Sequence, residues 1–237
     1  MRIAIVGAGR AGTSFSSALA RCGHRVELVH HDELERIGSV DLVLLAVPDD
    51  TIATIAAGLP VESTRVVAHV AGSRSLAVLA PPPRVASIHP LITMPSDDVG
   101  AHRLVGATFA VAGDPLVREL VTSLRGRALN LSDEQRTAYH ATATVAANHL
   151  VALLAHVERL AEHAGLSLED FLPLARMALE DVAERGVERA LTGPASRGDL
   201  STIDAHLSAI PASERATYVA LAQVAFDVAE RRSRSLA

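Results

Sequence analysis

The opening stretch MRIAIVGAGRAG constrains this chain more than any other. Ile3, Ala4, Ile5 and Val6 form a short apolar run of the kind buried in a parallel sheet, and Gly7, Gly9 and Gly12 follow at GxGxxG spacing. In such a unit the first glycine permits the tight turn, the second lets a pyrophosphate approach the backbone, and the third lets helix and strand pack closely. Phosphates then sit at a helix N-terminus, where unpaired N–H groups and the helix dipole favour negative charge. The spacing alone is common. Here it lies between a strand-like run and a helix-like segment, Thr13 to Cys22, and a second strand pattern runs from Arg25 to His30. That context points to a dinucleotide held by Gly7, Ala8, Gly9, Arg10, Ala11 and Gly12, against a glycine turn that only packs.

Beyond this unit the first 130 residues alternate strand and helix patterns, the signature of a doubly wound, mostly parallel α/β sheet. Strands are expected at Arg2 to Val6, Arg25 to His30, Asp41 to Val47, Arg65 to Val70, Arg84 to Ile88 and Thr108 to Ala112. Pro81, Pro82 and Pro83 can only be a stiff connection. From residue 131 to 237 alanine dominates and apolar residues recur at helical spacing, which predicts an all-α second domain. Ser132 and Gln135 form a capping box. The helix they open is expected to run unbroken to His163, about 45 Å at 1.5 Å per residue. A helix of that length in a small domain implies a surface shared with a second copy, hence a homodimer through the helical domain. Further helices are expected around Leu168 to Gly186 and Ala212 to Arg232.

The formal charge of −5 offers no nucleic-acid footprint, and the arginines near the end, Arg231, Arg232 and Arg234, read as a frayed tail. No apolar run approaches the ~18 residues of a membrane span. The single cysteine, Cys22, excludes an internal disulfide, so a cytoplasmic, reducing setting is the expectation. The chain contains no lysine: all 22 basic side chains are arginines, which stay protonated at any working pH. Proton transfer must fall to His, Tyr, Asp, Glu, Cys or water.

The end of the second strand reads Val29, His30, His31, Asp32. An NAD site usually places an acid there for the ribose hydroxyls. Two imidazoles at the expected position, with Arg10 in the glycine loop, suit a 2′-phosphate and favour NADP. NAD, with Asp32 as its ribose acid, is the alternative. The strand DLVLLAVPDD brings Val47, Pro48 and Asp49 to the cofactor crevice, although Asp49 is better read as a cap for the helix starting at Thr51. His89, fixed by Pro90 at a strand exit, is read as a ligand contact, with a loop anchor as the alternative; His69 is read as structural. Arg136, Tyr139, His140, Asn148 and His149 interrupt an apolar helix and are expected to line a cavity. His149, His156 and His163 recur every seven residues, about 10.5 Å apart, too far to share a metal, and read as one partly solvated face. No metal is expected. The polar stretch LTGPASRGDLST offers Thr192 and Arg197, the latter able to clamp a carboxylate unless Asp199 pairs with it.

With GAGRAG, DLVLLAVPDD and HVAGS, the N-terminal half resembles the 6-phosphogluconate-dehydrogenase-like Rossmann proteins, which include pyrroline-carboxylate and ketopantoate reductases. More narrowly, HPL at His89, YHATATVAANH at Tyr139 and LTGPASRGDLSTIDAH at Leu191 look like the Rossmann-like proteins carrying the C-terminal domain of unknown function 2520. The resemblance implies an NADP-binding domain, a helical dimerisation domain and a substrate cleft between them. It also implies a departure: Arg136 stands near the place where the broader superfamily customarily has a catalytic lysine.

These readings combine into an NADP-dependent oxidoreductase that reduces the C=O or C=N of a small carboxylated substrate, with ketopantoate-reductase-like chemistry included. Arg136 or Arg197 would hold the carboxylate beside Ser73 and Thr192. Asn148 would orient the reacting atom, and His140, with His89 second, would donate the proton. The alternatives are an NADP-binding sensor or scaffold without turnover, and a prephenate-dehydrogenase-like oxidation of a hydroxy acid.

Overall fold

The computed structural model describes residues 1–60, 62 and 65–235, which divide into two compact units, Met1–Ala147 and Asn148–Ala237. The compositional change near residue 130 precedes this division. The residues between include a 3₁₀ turn and a helix of the first unit.

In the first unit the described residues form a seven-stranded sheet: β1 (Arg2–Val6), β2 (Arg25–Val29), β3 (Leu42–Leu45), β4 (Val66–His69), β5 (Val85–Pro90), β6 (Thr108–Gly113) and β7 (Arg127–Asn130). The order is β2-β1-β3-β4-β5-β6-β7, parallel throughout except where β5 meets β6. Six strands fall where the apolar runs predict them. The seventh was not legible, because this half-exposed edge strand carries only Ala128 and Leu129 as apolar residues.

Helices α1 (Arg10–Arg21), α3 (Asp97–Leu104) and α4 (Leu116–Ser123) share one core with Ile3, Ile5, Leu42, Leu44, Ile88 and Phe109. On the other face α2 (Ile52–Gly58) and a 3₁₀ turn at Leu76–Leu79 cover Val43, Leu45 and Val67. Strands buried on both faces explain why their sequences read as continuous apolar runs. The strand order reverses at β1, so its carboxyl end, with that of β3, borders a crevice.

The capping box at Ser132 and Gln135 is present, but the expected unbroken helix is not. A 3₁₀ turn and α5 (Arg136–Thr144) give way to a π turn at Val145–His149 before α6 (Leu150–His163). Thr142 and Thr144 donate to the carbonyls of Ala138 and His140, competing for acceptors of the helical ladder directly before that turn.

The second unit continues with α7 (Leu168–Arg185), α8 (Val187–Ala190), α9 (Gly193–Arg197), α10 (Leu200–Ala209) and α11 (Arg215–Ser235). Its buried apolar residues are few: Ala161, Ala195, Ile203 and Val228. Instead of forming one solvated face with His149 and His163, His156 is buried, with Nδ1 2.7 Å from Glu214 Oε2. Arg159 donates to both oxygens of the same carboxylate. The C-terminal arginines are also not frayed, since Arg232 donates to the carbonyls of Leu191 and Ser196.

Hydrogen bonds from Arg159 and then His156 hold the Glu214 carboxyl at about 2, below its ordinary 4.5. The stabilisation is therefore complete above pH 4.5 and is lost as pH falls toward 2. Glu214→Gln is expected to lower the thermal midpoint at neutral pH and to flatten the acid limb of a helical circular-dichroism titration. An acid limb matching the parent's would contradict this assignment.

Candidate active site

The turn after β1 is shaped by one close approach. Gly7 has φ +106°, its N–H donates to Val29 O, and a Cβ on Gly12 would lie 1.8 Å from Gly7 O. Turn and first helical turn are thus in backbone contact. Gly9 differs: a Cβ there would meet nothing within 4 Å. Packing gives no reason for glycine at that position, whereas an approaching ligand does. Gly9 is the N-cap of α1 and no side chain caps this helix. Its first turn also carries no acid, so its free N–H groups face the crevice without a competing carboxylate.

A cavity of about 770 Å³ opens over this turn. Gly7, Ala8, Gly9, Arg10 and Ala11 form its floor, with Ala46, Val47 and Pro48 from the end of β3 opposite. His30 and His31 stand at one margin, His89 and Pro90 at another, and Phe15, Val70, Ile92 and Met94 supply apolar wall. Of the expected cofactor residues, all but Gly12 and Asp49 line this cavity; Gly12 packs beneath it.

Asp49 departs from the sequence reading. It does not cap α2; its carboxylate accepts from Ser73 Oγ at 3.0 Å and lies 3.6 Å from Arg74 Nε. Asp32 is paired with His30 Nδ1, which holds its carboxyl below the ordinary range. The His30 and His31 rings lie 4.3 Å apart. Arg10 is exposed and has no carboxylate partner among the described residues. The margin near β2 thus combines a guanidinium and two imidazoles, with Asp32 already engaged by His30.

At the end of β5, His89 Nδ1 lies 2.7 Å from the hydroxyl of Tyr139 on α5, the rings meeting edge to face at 5.6 Å. The His140 ring is 6.3 Å from that of His89. Gly72, buried in the turn after β4, makes this possible: a Cβ there would lie 2.9 Å from both His89 Nε2 and His140 Cδ2. Burial, reinforced by the neighbouring His140 and Arg136, lowers His89 to about 4, so it is neutral at physiological pH. Burial raises the Tyr139 hydroxyl, which stays protonated.

Arg136, expected against a substrate carboxylate, is only 2% exposed. Its Nε donates to Asp133 Oδ1 and its Nη2 to Ser87 Oγ, both at 2.6 Å, while Asp133 also accepts from Leu76 N. Arg136 is a strut tying α5 to β5. His69 is fully buried, and burial followed by the charge of Arg136 lowers it to about 4. In the second unit Asn148, Thr192 and Arg197 are exposed, and Asp199 does not pair with Arg197 but caps α10 through Thr202. No group of His, Cys, Asp and Glu suited to a metal occurs among the described residues. Likewise, no described helix is long and apolar enough to cross a membrane.

Sequence reasoning missed the pairing of Tyr139 with His89 and the spacing role of Gly72. Tyr139 was visible as a polar break in an apolar helix, but its partner lies fifty residues away.

Comparison with known proteins agrees with this architecture. No curated protein matches by sequence. Among solved structures, a Bacteroides fragilis protein provisionally described as an NADP oxidoreductase is 22% identical, with TM-score 0.78 over 95% of this chain and 98% of its own. The protein TM1727 of Thermotoga maritima is also 22% identical, with TM-score 0.79 over 98% and 99%. A 1-pyrroline-5-carboxylate reductase from Streptococcus pyogenes is 18% identical, with TM-score 0.61 over 98% of both chains. These likenesses establish a shared fold. The model of the domain of unknown function DUF2520 matches residues 106–225, half of the sequence, and the chain belongs to that family.

Proposed function

We propose that this chain is an NADP-dependent oxidoreductase that reduces the C=O or C=N group of a small carboxylated substrate. The carrying observation is the open space at Gly9 above an uncapped helix N-terminus, on the floor of a cavity that reaches His89. The residues present fit such a cofactor. Backbone N–H groups at the start of α1 would take the pyrophosphate, and Arg10, His30 and His31 the 2′-phosphate, while Val47 and Pro48 would flank it. The engagement of Asp32 by His30 favours NADP over NAD. Bound there, NADPH would supply a hydride to the substrate carbon.

The chain's own residues would do the rest. His89, neutral, offers one N–H donor to the reacting oxygen or nitrogen, and the exposed His140 delivers the proton. Arg136 is committed to Asp133 and Ser87 and is not open to a substrate carboxylate. Of the other polar residues expected to meet the substrate, Ser73 belongs to the first unit, while Arg197, Thr192 and Asn148 are exposed candidates on the second. The fold likeness to a pyrroline-carboxylate reductase and to a reductive aminase from Aspergillus terreus keeps C=N substrates beside C=O ones.

The reading includes a homodimer formed by the second unit. Leu174 and Met177 on α7, and Val219 and Val224 on α11, are each at least half exposed, an unusual load of large apolar side chains for so small a core.

Three outcomes test these statements. Gly9→Val should leave thermal stability unchanged in the free protein while abolishing the stabilisation by NADPH; retained NADPH stabilisation would remove the cofactor assignment. His140→Ala should lower NADPH-dependent reduction of a panel of 2-oxo acids by roughly 10²–10⁴-fold. Equal turnover excludes His140 as the donor, and cofactor binding without turnover of any substrate favours the sensor reading. In sedimentation the parent chain should run as a dimer and Leu174→Glu combined with Val224→Glu as a folded monomer; a monomeric parent contradicts the dimer.

A further inference from the structure

A neutral imidazole has one donor and one acceptor, so the tautomer of His89 decides what it can offer a ligand. Its Nδ1 faces the Tyr139 hydroxyl at 2.7 Å, and its Nε2 lies beside Gly72, 2.9 Å from where a Cβ on that residue would stand. Among the described residues the Tyr139 hydroxyl has no hydrogen-bond partner except His89. If Nδ1 carried the ring proton, the phenolic hydrogen would be left without a protein acceptor in a half-buried site. If the phenol donates, both groups are satisfied.

We propose that Tyr139 is a positioning residue whose hydroxyl donates to Nδ1 of His89, fixing the ring proton on Nε2 so that a neutral N–H donor stands beside Gly72. The charged and titratable groups facing His89 are Tyr139, His140 and Arg136 from α5 and Asp49 from the loop after β3. His140 and Arg136 disfavour an imidazolium and only Asp49 favours one, and burial adds to the first pair. His89 therefore stays neutral through the working range, and the two histidines divide the work. His89 stabilises charge developing on the reacting oxygen or nitrogen without giving up its proton, and His140 transfers one. This division rests on the reductase reading above; the tautomer does not.

The test is a long-range ¹⁵N–¹H spectrum of the histidine side chains, recorded against pH on the full chain and on Tyr139→Phe. The parent should show His89 with protonated Nε2 and bare Nδ1, titrating near 4. Loss of a donor to the neutral ring should move the variant's titration upward, while burial and the charges of His140 and Arg136 still hold it below the ordinary range, and should populate both tautomers. If Tyr139 instead accepted from Nδ1–H, the parent would show that tautomer and the variant would titrate lower. Either result, or an unmoved titration, overturns the proposal. The parent spectrum decides even if the variant fails to fold.

In turnover, Tyr139→Phe should lower kcat by less than the ~10²-fold cost of removing a transition-state donor outright, with KM for NADPH unchanged. The expected spectra with no turnover in either protein would refute the reductase reading and leave the tautomer standing.

Discussion

The first unit depends on a backbone contact between two glycines. The carbonyl of Gly7 occupies the space that a side chain on Gly12 would need, so α1 leaves the end of β1 without a spacer. That approach sets the helix N-terminus against the switch in strand order, and the cavity results from it. On one side lie the free N–H groups of the first turn, on the other the ends of β3 and β5. A methyl group at residue 12 would push the helix off the turn and disturb every distance across the crevice. The same chain segment leaves residue 9 open, so Gly12 and Gly9 serve opposite ends, contact and vacancy.

Around this frame, the lysine-free composition governs the electrostatics. A guanidinium cannot shed its proton when buried, so each buried arginine must bring an acceptor with it. Arg136 has Asp133 and Ser87; Arg65 has Glu62 and the carbonyls of Gly38 and Pro60. These arginines are struts. Arg10, exposed at the cavity margin without a carboxylate among the described residues, stands at the cofactor end with its charge open to an anion. The imidazoles of His89 and His140 meet near the end of β5.

How far the sequence could be read depends on where each constraint acts. The five inner strands and the glycine turn were legible because burial on two faces demands unbroken apolar runs and a tight βα turn demands glycine, and the edge strand β2 was placed by its position behind that turn. The edge strand β7 was not, since an edge imposes no such demand. His30, His31, Val47 and Pro48 were placed at the crevice by strand-end logic alone. Arg136 and Asp49 were misassigned because residue type fixes what a side chain can do, while its partner fixes what it does. Asp133 lies three residues from Arg136, but nothing in that spacing says the guanidinium is buried and bound to Ser87. His156 failed likewise: heptad spacing describes a face, and only α11's approach through Glu214 buries one of its members.

In the second unit, apolar content outruns the core available to hold it. The interior reduces to a few small or branched residues, and a charged triad of His156, Arg159 and Glu214 ties α6 to the start of α11. Water screens the half-exposed Arg159, so such a triad fixes geometry better than it supplies stability. Meanwhile α7, eighteen residues long, buries none of its side chains, and its interior Pro173 weakens the helical ladder. A helix of that kind has no means of its own to offset the entropy of ordering it. The exposed apolar side chains of α7 and α11 are the physical basis for proposing a second copy.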